Sequence, residues 1–149
     1  MKILVVNPGS TSTKIGYFEN ETQIFDKVLR HTSEELSAFD SITHQYNFRM
    51  AIIEEFMFEQ NIDVSGLDAI VGMGGLISPV RGGTYLVNDK MTADLKDGIQ
   101  GEHASNLGGL IAKAIGDKIN SPAFIVDPVV VDEFHDLARI SGHPLIPRR

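Results

Sequence analysis

The first fourteen residues, MKILVVNPGSTSTK, constrain the fold more than any other stretch of this 149-residue chain. Ile3, Leu4, Val5 and Val6 form an apolar run rich in β-branched side chains, and Pro8 and Gly9 punctuate its end. That is the pattern of a short buried strand stopping in a turn. Residues 15–18 resume an apolar, strand-like pattern, so the turn is held between two sheet elements. Its chemistry is concentrated: Ser10, Thr11, Ser12 and Thr13 put four hydroxyls in succession, and Lys14 follows. Two readings stand. A turn of Gly, Pro, Ser and Thr between strands is commonly a plain hairpin connection. The same residues also suit an anion, because Gly9 can take a positive φ, backbone N–H groups around such a turn can converge, and the hydroxyls and Lys14 add donors and charge. Phosphate is the anion that fits. The loop is not a Walker loop, since G-x-x-x-x-G-K-[ST] is absent and no helical pattern follows.

Three strands are expected first, over residues 2–7, 13–19 and 23–30, with Glu19-Asn20-Glu21 as a polar turn. Thr32 and Glu35 have capping-box spacing for a short helix over 33–39. Phe48, Ile52, Ile53, Phe56 and Met57 recur at helical spacing within 45–61, and Leu107, Leu110, Ile111, Ala114, Ile115 and Ile119 do so within 105–119. Both segments read as amphipathic helices facing a core. Further strands are expected over 67–72, 84–87 and 123–127, and a short helix over 91–96. This order predicts an α/β fold, a mixed sheet of about five strands with helices on both faces. Ligands collect at strand carboxyl ends in such sheets, which would bring Asn7, the Gly72-Met73-Gly74-Gly75 loop and Asp127 to one crevice.

The chain is long enough for one domain with a substantial core. Its net charge of −7 argues against a general binder of nucleic acid or acidic membrane. It has no cysteine, which excludes disulfides, thiol catalysis and cysteine-ligated metals, and fits a reducing compartment. Met1 runs straight into a strand, leaving no signal peptide, and no apolar run approaches membrane-spanning length, so a cytoplasmic protein is expected. Residues 141–149 carry Pro144 and Pro147 and no completed element. They read as the start of a crossing out of a domain that occupies residues 1–140.

Three places could carry chemistry. The glycine loop lacks a dinucleotide fingerprint, because the third position is Ile77 and Pro79, Gly82 and Gly83 leave no room for a following helix. Gly74 and Gly75 then form either a turn or a point of close backbone approach to a small ligand. Asp127, closing a strand before Pro128, suits a turn, or it holds Mg²⁺ through water, since hard oxygen ligands match that ion. Asp132 and Glu133 are expected to open a helix, where acidic residues suit the dipole. His103 and Asn106 stand at the start of the long helix, whose positive end favours anions; His103 there is either structural or a stabiliser of developing phosphoryl charge. His31, His44, His135 and His143 show no ligand spacing.

Taken together, Asn7-Pro8-Gly9-Ser10-Thr11-Ser12-Thr13-Lys14, Gly82-Gly83-Thr84-Tyr85, His103-Ala104-Ser105-Asn106-Leu107-Gly108, Asp127-Pro128-Val129-Val130-Val131-Asp132-Glu133 and Ala138-Arg139-Ile140-Ser141-Gly142 resemble the butyrate kinases. These form part of the acetate kinase group, within the superfamily of sugar kinases, heat-shock ATPases and actin. The resemblance covers essentially the whole chain. It implies a ribonuclease-H-like domain and transfer of the ATP γ-phosphoryl group to a short-chain carboxylate, giving an acyl phosphate and ADP, with Mg²⁺ as cofactor. By motif match Asn7 would lie near metal and phosphates, Gly9, Ser10, Thr11, Ser12 and Lys14 would form the phosphate loop, Asp127 would match the catalytic aspartate and His103 an active-site histidine. Positioning and charge neutralisation carry such a reaction, so these parts suffice for this side of it.

Two departures from the family pattern bear on function. Met73 stands where the family usually has a carboxylate-binding arginine, and Arg81, eight residues on, is expected to compensate beside Gly74 and Gly75. The family also has a second domain with another phosphate loop and the adenosine pocket, and the chain stops before it. The isolated chain is therefore expected to fold without catalysing, and its uncovered docking surface gives it a route to homo-oligomers.

Overall fold

The computed structural model describes residues 1–146. Its first three strands, β1 (Lys2–Pro8), β2 (Ser12–Glu19) and β3 (Thr22–Arg30), form an antiparallel meander. A short helix α1 (Ser33–Ser37) follows, opened by the expected capping box: Thr32 accepts from the Glu35 N–H, and the Glu35 carboxylate accepts from the Thr32 N–H. Helix α2 (Tyr46–Glu59) leads into β4 (Ala69–Met73). Beyond the glycine loop come β5 (Thr84–Leu86), α3 (Asp89–Asp97), α4 (Asn106–Ile119) and β6 (Ala123–Val126).

The sheet has six strands in the order β3-β2-β1-β4-β6-β5, in keeping with the about five expected, and the three-residue β5 pairs antiparallel along the β6 edge. β1, β4 and β6 are parallel neighbours. Strand alternation sorts the sheet into two faces. Leu4, Val6, Ile15, Ile70 and Ile125 are fully buried, in one core with Ile53, Leu107 and Ile111 from α2 and α4. On the opposite face Ile3, Val5, Phe18, Val71 and Phe124 are only partly buried. Helices on both faces were expected; among the described residues the two long ones cover a single face.

The contact that positions the edge carrying the candidate site is between β4 and α4. A Cβ on Gly72 would lie 2.3 Å from the Gly108 carbonyl oxygen, and one on Gly108 would lie 2.6 Å from the Met73 oxygen. Only glycine lets strand and helix backbones touch in this way. The N-terminus of α4 is thereby pressed against the carboxyl end of β4.

Asp132 and Glu133 do not open a helix. Asp132 takes two hydrogen bonds from the Arg139 guanidinium, at 2.7 and 2.8 Å, and Glu133 accepts the Gly82 N–H at 2.9 Å. Tertiary partners outcompete the local dipole there. Residues 141–146 contain turns without helix or strand, and the rest of the expected crossing, 147–149, lies outside the described residues. No helix among the described residues is long and apolar enough to cross a membrane.

Candidate active site

The carboxyl ends of β1, β4 and β6 form one edge, as the topology rule requires. Val6 registers with Gly72, and Met73 with Val126, so Asn7, Met73 and Asp127 follow one another across that edge. Asp127 has φ +39°, a left-handed backbone that costs a non-glycine residue energy. Two hydrogen bonds hold it: its Oδ1 accepts the Gly83 N–H at 2.7 Å, and its own N–H donates to the Gly83 oxygen at 3.0 Å. Its Oδ2 has no hydrogen bond among the described residues. Together with Glu133 on Gly82 and the Asp132 N–H on the Val80 oxygen (2.8 Å), these bonds strap residues 80–83 to 127–133. Arg81 is therefore carried on the same strap as Asp127, with an exposed side chain and a carbonyl that accepts the Tyr85 hydroxyl at 2.6 Å.

At the other end of the edge, the β1–β2 connection is a hairpin turn closed by the Gly9 N–H on the Ser12 oxygen at 2.7 Å. Gly9 does not have the positive φ that was expected; the turn closes without it. The hairpin and anion readings prove compatible, since Ser10 and Thr11 are exposed and their N–H groups and hydroxyls have no acceptor or donor among the described residues. Lys14 shares a sheet row with Asn7, yet its ammonium is drawn back to Asp26 Oδ2 at 2.6 Å, away from the loop.

Behind the loop stands a residue that sequence periodicity missed. Arg49 of α2 is fully buried and donates to the oxygens of Ser10 (3.2 Å) and Ser12 (3.0 Å), to the Thr13 hydroxyl (3.0 Å) and, through Nε and Nη2, to Gln45 Oε1 (3.1 and 2.9 Å). Burial lowers its pKa from the ordinary arginine value. The Thr13 hydroxyl also meets Nε2 of buried His31 at 2.9 Å, and the His31 Nδ1 has no partner among the described residues. Burial, then the Arg49 charge, push the His31 pKa down, favouring neutral imidazole. The available signal was a charged residue inside the apolar stripe of Met50, Ile53, Phe56 and Met57, with Gln45 one turn earlier.

His103 lies three residues before α4, its Nδ1 2.7 Å from the Ser105 hydroxyl and accepting the Ser105 N–H at 3.2 Å. Because a backbone N–H only donates, Nδ1 is unprotonated in this arrangement and Nε2 keeps its proton for an outside acceptor. Asn106, buried, accepts the Leu76 N–H at 2.8 Å and donates to the Gly101 oxygen at 2.9 Å, locking the glycine loop to the helix start. Gly74 and Gly75 have φ of +77° and +121°, and a side chain there would meet Ser105 at 3.0 Å and Leu95 at 2.8 Å. The close approach at these glycines is made by protein.

Mg²⁺ fits this edge only in a water-mediated way. No group of three His, Cys, Asp or Glu side chains could enclose a metal among the described residues, whereas the half-free Asp127 carboxylate and the Asn7 amide are oxygen donors suited to a hydrated ion.

The chain is 57% identical over 148 residues to a probable butyrate kinase of Clostridium botulinum, and 55% identical to butyrate kinase 1 of Clostridium acetobutylicum; each match covers 99% of this chain and 42% of the relative. It thus spans less than half the length of these curated relatives. No family model matches. The acetate kinase of Entamoeba histolytica has a similar fold, with TM-score 0.56 over 97% of this chain and 41% of that one, at 10% identity. By sequence the chain is similar to butyrate kinases over 42% of their length, and its fold is similar to that of an acetate kinase.

Proposed function

We propose that the chain is the first phosphate-binding domain of a butyrate kinase, which transfers the γ-phosphoryl group of ATP to butyrate, reversibly, giving butanoyl phosphate and ADP. The observation that carries this reading is the meeting, on one sheet edge, of the free N–H groups of Ser10 and Thr11 with the strained, half-free carboxylate of Asp127. In-line phosphoryl transfer needs positioned donors for spreading negative charge and an anchor for the metal. The turn over Gly9, Ser10, Thr11 and Ser12 donates to phosphate oxygens. Asp127 and Asn7 would hold a hydrated Mg²⁺ through its water, and the ion would supply neutralising charge to the nucleotide phosphates. The His103 Nε2–H donates to the transferring group, and Arg81 attracts the carboxylate of the acceptor acid. Lys14 contributes once phosphate competes with Asp26, an exposed pair of the kind that holds weakly.

The chain matches 42% of the length of its curated relatives, and on this reading the nucleotide base and the opposing wall of the cleft come from the remainder of that length, without which there is no turnover. Exposed Met73, in the middle of the edge, favours a second reading: another short or branched acid as acceptor, or a module that binds nucleotide without catalysis. A chimera settles the choice. The chain is joined to the portion of the C. acetobutylicum relative that it does not match, and acyl phosphate is trapped with hydroxylamine from acetate, propionate, butyrate and isobutyrate. Fastest turnover with butyrate, and none by the chain alone, is the expected result. A chimera that binds ATP but makes no acyl phosphate refutes the kinase reading, and faster turnover of another acid refutes the choice of substrate.

A further inference from the structure

Arg49 has no place in the motifs that carry the family resemblance, yet it is the largest fully buried side chain among the described residues. Charged side chains are almost never fully buried unless paired, and no carboxylate pairs with this one among the described residues. Its donors are satisfied instead by neutral oxygens, three of them on the hairpin turn and the strand that leaves it. Two consequences follow. The carbonyls of Ser10 and Ser12 are fixed inward, and the intervening peptides are held with the Ser10 and Thr11 N–H groups unspent. A full positive charge also sits one residue layer behind those N–H groups, in a low-dielectric setting where Coulomb attraction is screened far less than on the surface.

We infer that Arg49 is the positioning residue of the hairpin turn at residues 10–12: its guanidinium sets the turn from behind and supplies the buried charge that makes it attract phosphate. This rests on the phosphate-binding reading of the turn given above. Arginine is needed because the planar fork reaches two carbonyls at once while Nε and Nη2 hold Gln45; lysine has the charge without the fork. Nearby His31 stays neutral and does not duplicate the charge, since burial and Arg49 itself disfavour its protonation.

The test is ¹⁵N NMR titration of the full chain with inorganic pyrophosphate, for the parent, Arg49→Gln and Arg49→Lys. In the parent, the Ser10 and Thr11 amide signals move, and the Arg49 Nε signal moves with them while that of Arg139 does not. Arg49→Gln, with its dispersed amide spectrum retained, binds about tenfold more weakly. Arg49→Lys recovers part of that loss, which a purely space-filling role would not produce. Undiminished pyrophosphate affinity in folded Arg49→Gln overturns the inference and leaves the phosphate reading standing. A motionless Arg49 Nε in a parent whose Ser10 and Thr11 amides move does the same, and decides the matter even where the Gln variant fails to fold. Motionless Ser10 and Thr11 amides in the parent overturn both.

Discussion

Replacing Gly72 by alanine tests whether the β4–α4 contact sets the edge carrying the candidate site. The new carbon would stand 2.3 Å from the Gly108 oxygen, 2.4 Å from its carbonyl carbon and 2.7 Å from the Gly109 nitrogen. Such atoms rest roughly 3.5 Å apart, and all three are backbone, so relief requires α4 to retreat by about 1 Å. Overpacking typically costs about 1 to 3 kcal/mol. The upper end applies here, because the retreat also loosens Leu107, Ile111 and Ile115, which are at most 3% exposed. For a chain of this size about 3 kcal/mol lowers the melting temperature by roughly 6 to 12 °C. Thermal and urea unfolding followed by circular dichroism measure it, with Gly9→Ala as control, since its nearest neighbours would be 3.6 and 3.7 Å away, ordinary contact. The control should stay within about 0.5 kcal/mol of the parent. A Gly72→Ala melting point within about 2 °C of the parent, or an equal loss in Gly9→Ala, would refute the reasoning.

Asp127→Asn should fold like the parent, since asparagine tolerates the left-handed backbone and still accepts from Gly83, while acyl phosphate formation by the chimera falls at least about a hundredfold through the lost charge; retention of activity would remove Asp127 from the proposed mechanism. In the same chimera Arg81→Ala should raise the KM for butyrate about tenfold or more with little change in that for ATP, and unchanged butyrate saturation would dismiss Arg81 as the carboxylate anchor. His31 titrates below its ordinary value of 6.5, so as pH falls beneath 6.5 the unfolded chain takes up a proton that the folded chain refuses. Its contribution to stability is therefore complete above that pH and is lost progressively below it. Urea midpoints of the parent and His31→Asn should show a shallower acid decline in the variant, and parallel declines would contradict the assignment.

The meander, the capping box and the two long helices were legible because each depends on local sequence: the apolar runs at 3–6 and 15–18 either side of Pro8-Gly9, Thr32 with Glu35, and the apolar stripe of 107–119. Parallel pairing at the centre was legible only through element order. Three features were hidden because they are settled between distant segments. The stripe on α2 was read from Phe48, Ile52, Ile53, Phe56 and Met57, of which Phe48 and Ile52 are only partly buried, and it left out Arg49, which is fully buried. Asp132 and Glu133 looked like a helix start until Arg139 and Gly82 claimed their carboxylates. Gly74 and Gly75 read as either a turn or a close approach to a small ligand, and the groups an added side chain there would meet are Ser105 and Leu95. Within the site, the residue types at strand ends were readable; the guanidinium that shapes the turn from the far side was not.

The bonds between residues 80–83 and 127–133 are made by exposed groups or lie at the end of the sheet, whereas the contact of Gly72 with Gly108 is locked inside the core. The edge that carries the candidate site is thus held by core packing on one flank and by exposed hydrogen bonds on the other. Hydrogen exchange should be slow at Gly108 and fast at Gly82. Asp127 and Arg81 therefore lie on the exposed, weakly held flank, whereas Asn7 lies on a strand paired on both sides.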